Sequence, residues 1–476
     1  MKTLCTSQNS ISQIIFQPLG KKIVEARFNG GTITSDAGAL LLREVAGANS
    51  LFEDFARCFI DARDPRYIEH TVQELVSQRV YGICLGYEDL NDHDRLRLDP
   101  LLATVCGKED PEGERRRVER DRGRALAGKS TLQRLETSEE QVGESERYKK
   151  IVYDAGTIEN YFVEVFLKTY GEEPEEIILD VDATDDPVHG EQEGRFFHGY
   201  YDCYCYLPLY IFCGDYLLGA KLRPSNIDAS EGVKKELERI VGKIREKWSK
   251  VRIIVRGDSG FCREEVMGWC EGNGVDYVFG IARNARLVKR IAKALKKVKR
   301  NYALTKEGQR EYREFWYRTL KSWSRRRRVV AKAEYLDKGE NPRFVVTSIG
   351  KELMEGKKLY EELFCGRGEM ENRVKEQQLH LFSDRTSSAT MRANQLRLWF
   401  SSVAYVVMNE VRKRALEGTE FARAQCETIR LKLLKIGAQV RVSVRRVYIS
   451  LASGYPYQEV FWKVIENIRR AYPQRC

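Results

Sequence analysis

Between residues 175 and 282 the chain alternates short apolar runs with polar breaks. "EIILDVDAT", "YDCYCYLPLYIFCG" and "YLLGAKLRPS" are β-rich and separated by turn residues, which predicts three consecutive strands. "SEGVKKELERIVGKIREKW" (230–248) places Val233, Leu237, Ile240, Val241 and Ile244 at three- and four-residue steps, an amphipathic helix that Ser230 can cap. "VRIIV" (251–255) predicts a fourth strand, "CREEVMGWCEGNG" a helix closed by glycines, and "DYVFGIA" (276–282) a fifth strand. The order β-β-β-α-β-α-β implies an antiparallel meander followed by parallel strands added through helices to the same sheet. The expected class is α/β.

The flanks read differently. Residues 1–150 are mixed, with helical patterns such as "TVQELVSQRVYGICLGY" and a very polar surface stretch, "KEDPEGERRRVERDRGR" (108–124). A boundary is expected near 140–155. Residues 286–353 are basic and then β-like ("EFWYRTL", "RRVVAKAEYL", "RFVVTSI"), and from 354 onward the pattern is mainly helical. The expected division is a core in two parts (151–285 and 354–410), interrupted by a β-rich insertion (286–353), with an N-terminal region (1–150) and a basic C-terminal region (411–476).

Charge adds a partner to this picture. Net charge is +11, and "RLVKRIAKALKKVKR" (286–300) holds eight basic residues and no acidic one. "RRRR" follows at 325–328, and 411–446 has ten Lys/Arg against three Glu. Clustered cations predict a polyanion partner held through phosphate contacts. No apolar run is long enough to span a membrane, and the N-terminus lacks the pattern of a signal peptide. The twelve cysteines are scattered, and none forms C-x-x-C. They read as reduced thiols of a cytoplasmic protein.

Candidate chemistry lies in carboxylates. Asp180 and Asp182 are two apart on the first strand and so share a face. Asp258, in "VRGDSGF", follows the fourth strand, which the predicted topology sets beside the first. Converging oxygen ligands suit Mg²⁺, and paired Mg²⁺ ions serve phosphoryl transfer. "LFCGRGEMENRVKEQQLHLF" offers Glu369, Glu371 and Glu376 as a third carboxylate, with Arg367, Glu371 and Gln378 on one helical face.

Competing motifs fail on context. Gly123–Ser130 matches G-x-x-x-x-G-K-S, but "GERRRVERDR" before it cannot be a buried strand. His189, His198, Cys203 and Cys205 have no zinc-finger spacing. Ser259 lacks the partners of a serine nucleophile, and Ser259-Gly260 reads as a turn into a helix.

"LDVDAT", "VRGDSGF" and "RGEMENRVKE", in this order, resemble the DDE insertion-sequence transposases, closest to the group described as transposase DDE domain, group 1. The resemblance extends to "FNGGTITSDAGALLL", "LAGKSTLQRLE", "HGEQEGRFFHGYYDCYCYLPLYIF" and "DRTSSATMRANQLRLWFSSVAY". It implies an RNase H-like core (β-β-β-α-β-α-β-α) and a triad of Asp182, Asp258 and Glu371 binding Mg²⁺, with Mn²⁺ able to substitute. Asp180 is the alternative to Asp182. It implies cut-and-paste transposition by a protein, expected to be a homodimer, that binds terminal inverted repeats and target DNA, with end binding in the N-terminal region and association with the nucleoid when on DNA. A nuclease without strand transfer and an inactive DNA-binding repressor are the alternatives. A related branch carries Tyr, Arg, Glu and Lys where this chain has Phe364, Arg367, Glu371 and Gln378; Lys375 is the nearby substitute for the Lys. Trp316 and Trp323, in the insertion, are candidates for stacking on DNA bases.

Overall fold

In the computed structural model, which describes residues 13–141, 143 and 147–473, the alternating run becomes β1 (Glu176–Ala183). Ile177, Leu179 and Val181 are buried on one face, so Asp180 and Asp182 lie on the other. β2 (Leu209–Cys213) and β3 (Tyr216–Lys221) complete an antiparallel meander. β4 (Arg252–Gly257) and β5 (Asp276–Ile281) add in parallel on the other side of β1. The strand order is thus β3-β2-β1-β4-β5, as the sequence predicts.

The insertion does not stand apart. β6 (Gln309–Tyr317), β7 (Arg327–Leu336) and β8 (Arg343–Thr347) extend the same sheet past β5 in the order β5-β8-β7-β6, all antiparallel. They satisfy the backbone edge that β5 would otherwise expose.

"CYCYLPLYIFC" is not one strand. Pro208 has no N–H to give a central ladder, and the chain breaks there. Cys203–Tyr206 leaves the main sheet and pairs with Phe196–His198 and Asp186–Pro187, forming a small three-stranded flap. Ser230 does not cap the next helix. Its hydroxyl bonds Asp228 at 2.7 Å, and the helix starts after Gly232.

Of the helices, α1 (Ala155–Tyr170), α2 (Val233–Lys247), α3 (Glu264–Gly272) and α4 (Ala292–Thr305) cover the face carrying Leu179, Ile253 and Phe279. α5 (Gly368–Lys375) and α6 (Met391–Glu410) lie on the opposite side. α6 is buried along nearly its whole length because it is apolar on most of its circumference. Its Trp399, Phe400 and Tyr405 share one core with Phe55, Leu75 and Val80 from the N-terminal region and Leu433 from the C-terminal region. Both flanks of the sequence therefore form one layer.

Two of the basic stretches change meaning in three dimensions. The cations of 286–300 are exposed, while Leu287, Ile291, Leu295 and Val298 face the core. Arg327 and Arg328, by contrast, are buried in ion pairs. In the C-terminal stretch, Arg412 pairs with buried Glu376 at 2.8 Å and Lys435 with Asp36 at 2.6 Å. Among the described residues all cysteines are free, and no helix is long and apolar enough to cross a membrane.

Candidate active site

The parallel register of β1 and β4 matches Arg256 with Asp180 and Gly257 with Val181. One step further, it brings Asp258 beside Asp182. Gly257 permits this closeness: a Cβ there would lie 2.8 Å from Val181 Cγ2. Asp258 ends the strand and caps the following turn, Oδ1 accepting from the Gly260 amide at 2.8 Å. The turn that Ser259-Gly260 predicts is therefore capped by Asp258 itself.

Asp180 and Asp182 share a strand face but differ in company. Asp180 is buried in a two-pronged ion pair with Arg256, at 2.5 and 2.7 Å. Arg256 also donates to the Leu363 carbonyl. That bond ties the helical turn Leu359–Phe364 to the end of β4, while Leu359 and Leu363 pack on Ile254, Val278 and Val345. Gly366 lets the chain cross Arg256 closely, since a Cβ there would lie 2.7 Å from Nη1. This clamp fixes where α5, carrying Glu371, begins.

Arg367 stands between the carboxylates. Its guanidinium lies 3.6 Å from Asp182 and 3.1 Å from Glu371. Burial pushes the Asp182 carboxyl up to about 6; Arg367 opposes this, while Asp258 and Glu371 add to it. The three acids are thus within electrostatic reach of one another. Among the described residues, however, no set of three such side chains has converged to metal-binding distance. Glu371, exposed and 48% accessible at its side chain, is drawn toward Arg367. The donor chemistry fits a hard divalent cation: the donors are carboxylate oxygens, and their negative charge is only partly compensated.

The other candidates separate. Glu376 is fully buried against Arg412 and Arg373, a structural ion pair. Gln378 donates to the Asp185 carbonyl at 2.8 Å, holding the loop after β1. It lies in an irregular turn after α5 rather than on a continuous α-helical face with Arg367. Lys375 is exposed. Trp316 is 64% exposed, whereas Trp323 is 6% exposed and packed edge-on to Tyr317. That burial takes Trp323 out of reach of a base.

Sequence reasoning missed the flap. Tyr201, half-buried, is pushed to about 12 by burial and by the charges of Asp185, Asp182 and Asp258. This sets the flap beside the carboxylates. Phe197 and Tyr200 are exposed there, Tyr200 at 85%. The signal was present as a run of aromatics in "RFFHGYYDCYCY". Only its second half, from Tyr201, is read as a strand from the sequence, and the aromatics before it are passed over as loop.

A comparison with curated proteins gives no match. Among solved structures, the cryo-EM structure of a piggyBac transposase synaptic complex with hairpin DNA is similar at 10% identity and a TM-score of 0.39, covering 84% of this chain and 80% of that chain. The family model described as transposase DDE domain group 1 matches residues 16–473. The chain belongs to that transposase family.

Proposed function

We propose that this protein cuts DNA at the terminal inverted repeats of a mobile element and joins the ends to target DNA, with Asp182, Asp258 and Glu371 holding the divalent cations. One observation carries the reading: Asp182 and Asp258 stand at the ends of two adjacent parallel strands, and Arg367 links Asp182 to Glu371 on the following helix. The strand order β3-β2-β1-β4-β5, antiparallel and then parallel, supports an RNase H-like core. Oxygen-only ligands favour Mg²⁺, with Mn²⁺ as a substitute. When bound, such cations supply charge neutralisation and activation of the attacking oxygen.

The chain's own residues position the reaction. β1 and β4 hold Asp182 and Asp258 on a rigid sheet, and the Asp180–Arg256 clamp sets the register of the Glu371 helix. Arg367 offsets the charge of Asp182 and Glu371, and its guanidinium would suit a DNA phosphate held beside them. Lys375 lies one turn further along, exposed. The aromatics of the flap and Trp316 offer faces to bases that leave the stack.

Glu371→Gln tests the assignment. It should abolish strand cleavage and leave binding to end DNA within about twofold, since cation binding and phosphate anchoring use different residues. Loss of the gel shift in that variant would remove Glu371 from the proposed role.

A further inference from the structure

The N-terminal region holds a concentration of cations that the carboxylate site does not use. Arg63, Arg97, Arg116, Arg120 and Arg134 line a cavity of about 520 Å³ beside the first turn of the helix Lys129–Glu136. Two of these arginines come from the polar stretch 108–124. Three carboxylates share the lining, and each is already engaged. Glu69 lies 3.3 Å from Arg116, and Asp121 faces Arg120 and Arg124 at 3.7 and 3.8 Å. Asp94 accepts from the Lys129 amide at 3.1 Å.

What the cavity leaves unmet is donors. His70 is 5% exposed, and its Nε2 faces Arg116 Nη1 at 2.7 Å. An arginine can only donate, so the imidazole accepts at Nε2 and carries its proton on Nδ1. That Nδ1 is buried with no hydrogen-bond partner among the described residues, and so is Arg97 Nε. Burial and the charges of Lys108, Arg116 and Arg63 keep the ring neutral. Unpaired buried donors are costly, and they are satisfied by a ligand that brings acceptors. Planar guanidinium groups lining one cavity match the several acceptor oxygens of a phosphate.

We propose that this cavity seats a phosphate of the DNA backbone, anchoring the N-terminal region on duplex DNA. The proposal rests on the reading that DNA is the substrate. Bases are not read here; the site sets affinity and position.

The test is fluorescence anisotropy of the full chain on a labelled duplex carrying the element's end, over a range of salt. Arg97→Ala should weaken binding about tenfold, the loss expected for one charged hydrogen-bonding partner. The slope of log affinity against log salt should fall by about 0.9 for each phosphate contact removed. Arg134→Ala, at an exposed position, should act in the same direction and guards against misfolding of the first variant. Unchanged affinity and slope in both variants, with wild-type binding intact, would overturn the site alone. So would inorganic phosphate that raises the wild-type melting temperature while both variants bind duplex normally, since that marks a free-phosphate pocket. A wild-type chain that binds no duplex would overturn the proposed function and this site with it.

Discussion

Two parts of one sheet bury charge in opposite ways. On β7, Arg327 is 3% exposed and held by Glu264 at 2.7 Å and Glu271 at 2.6 Å; Arg328 beside it is held by Glu314 at 2.8 Å. Each buried cation is matched in place. Beside the ends of β1 and β4, Arg367 alone serves Asp182 and Glu371, at 3.6 and 3.1 Å, and Asp258 adds a third negative charge next to Asp182. The first arrangement closes on itself and holds the fold. The second keeps a negative surplus, the feature on which its proposed role as a cation site rests. A count of arginines in the sequence cannot make this distinction, and "RRRR" reads as a polyanion contact although half of it is internal.

Substitutions can break the contrast. The largest effect is expected at the surplus: Asp258→Asn should lower DNA cleavage by about a thousandfold or more, the loss of several kcal/mol of charge stabilisation. Its urea midpoint should stay level or rise, because a repulsive charge is removed. A drop of several kcal/mol in stability would mean that Asp258 belongs with the structural pairs. Arg327→Ala should do the reverse. It strands two carboxylates and should cost about 3–5 kcal/mol in urea unfolding, with cleavage per folded molecule unchanged.

Titration separates the regions by pH. The Asp182 carboxyl titrates at about 6 in the folded chain against 3.8 as its ordinary value. The folded state therefore binds the extra proton, and the associated stability is full below about pH 4 and lost as pH rises through about 6. In chelator, melting temperature should fall across this window, and Asp182→Asn should flatten the fall. A chain whose melting temperature is level from pH 4 to 6 would contradict the shared surplus.

The smallest effect concerns the two indoles. Trp316→Ala should leave stability within about 0.5 kcal/mol, as for other surface positions, and weaken binding to DNA ends containing unpaired bases by about 1–3 kcal/mol. A fully paired duplex should be bound nearly as before. Equal weakening on both substrates would remove Trp316 from a stacking role.

Much of this arrangement was legible in the sequence, for definite reasons. "EIILDVDAT" and "VRIIV" alternate or run apolar so strictly that strand type, face and neighbours follow from period-two geometry. Gly257 and Asp258 then mark the strand end. What was not legible depends on partners distant in sequence. Asp180 and Asp182 look alike until Arg256 claims one of them. Glu376 resembles Glu371 until Arg412, 36 residues on, buries it. Pro208 was visible, but an unbroken apolar run hid the switch of strands it causes. The flap was not legible because "RFFHGY" has no strand-length apolar run, and only the pairing of Phe196–His198 with Cys203–Tyr206 reveals it and leaves Phe197 and Tyr200 exposed.

The central claim is most directly tested by strand transfer. Purified protein, Mg²⁺, pre-cut element ends and supercoiled plasmid should give plasmid joined to those ends. Asp182→Asn, Asp258→Asn and Glu371→Gln should each give none while remaining folded. Cleavage of DNA with no joined product from the wild-type chain, or joining that survives loss of any one of these carboxylates, would contradict the account.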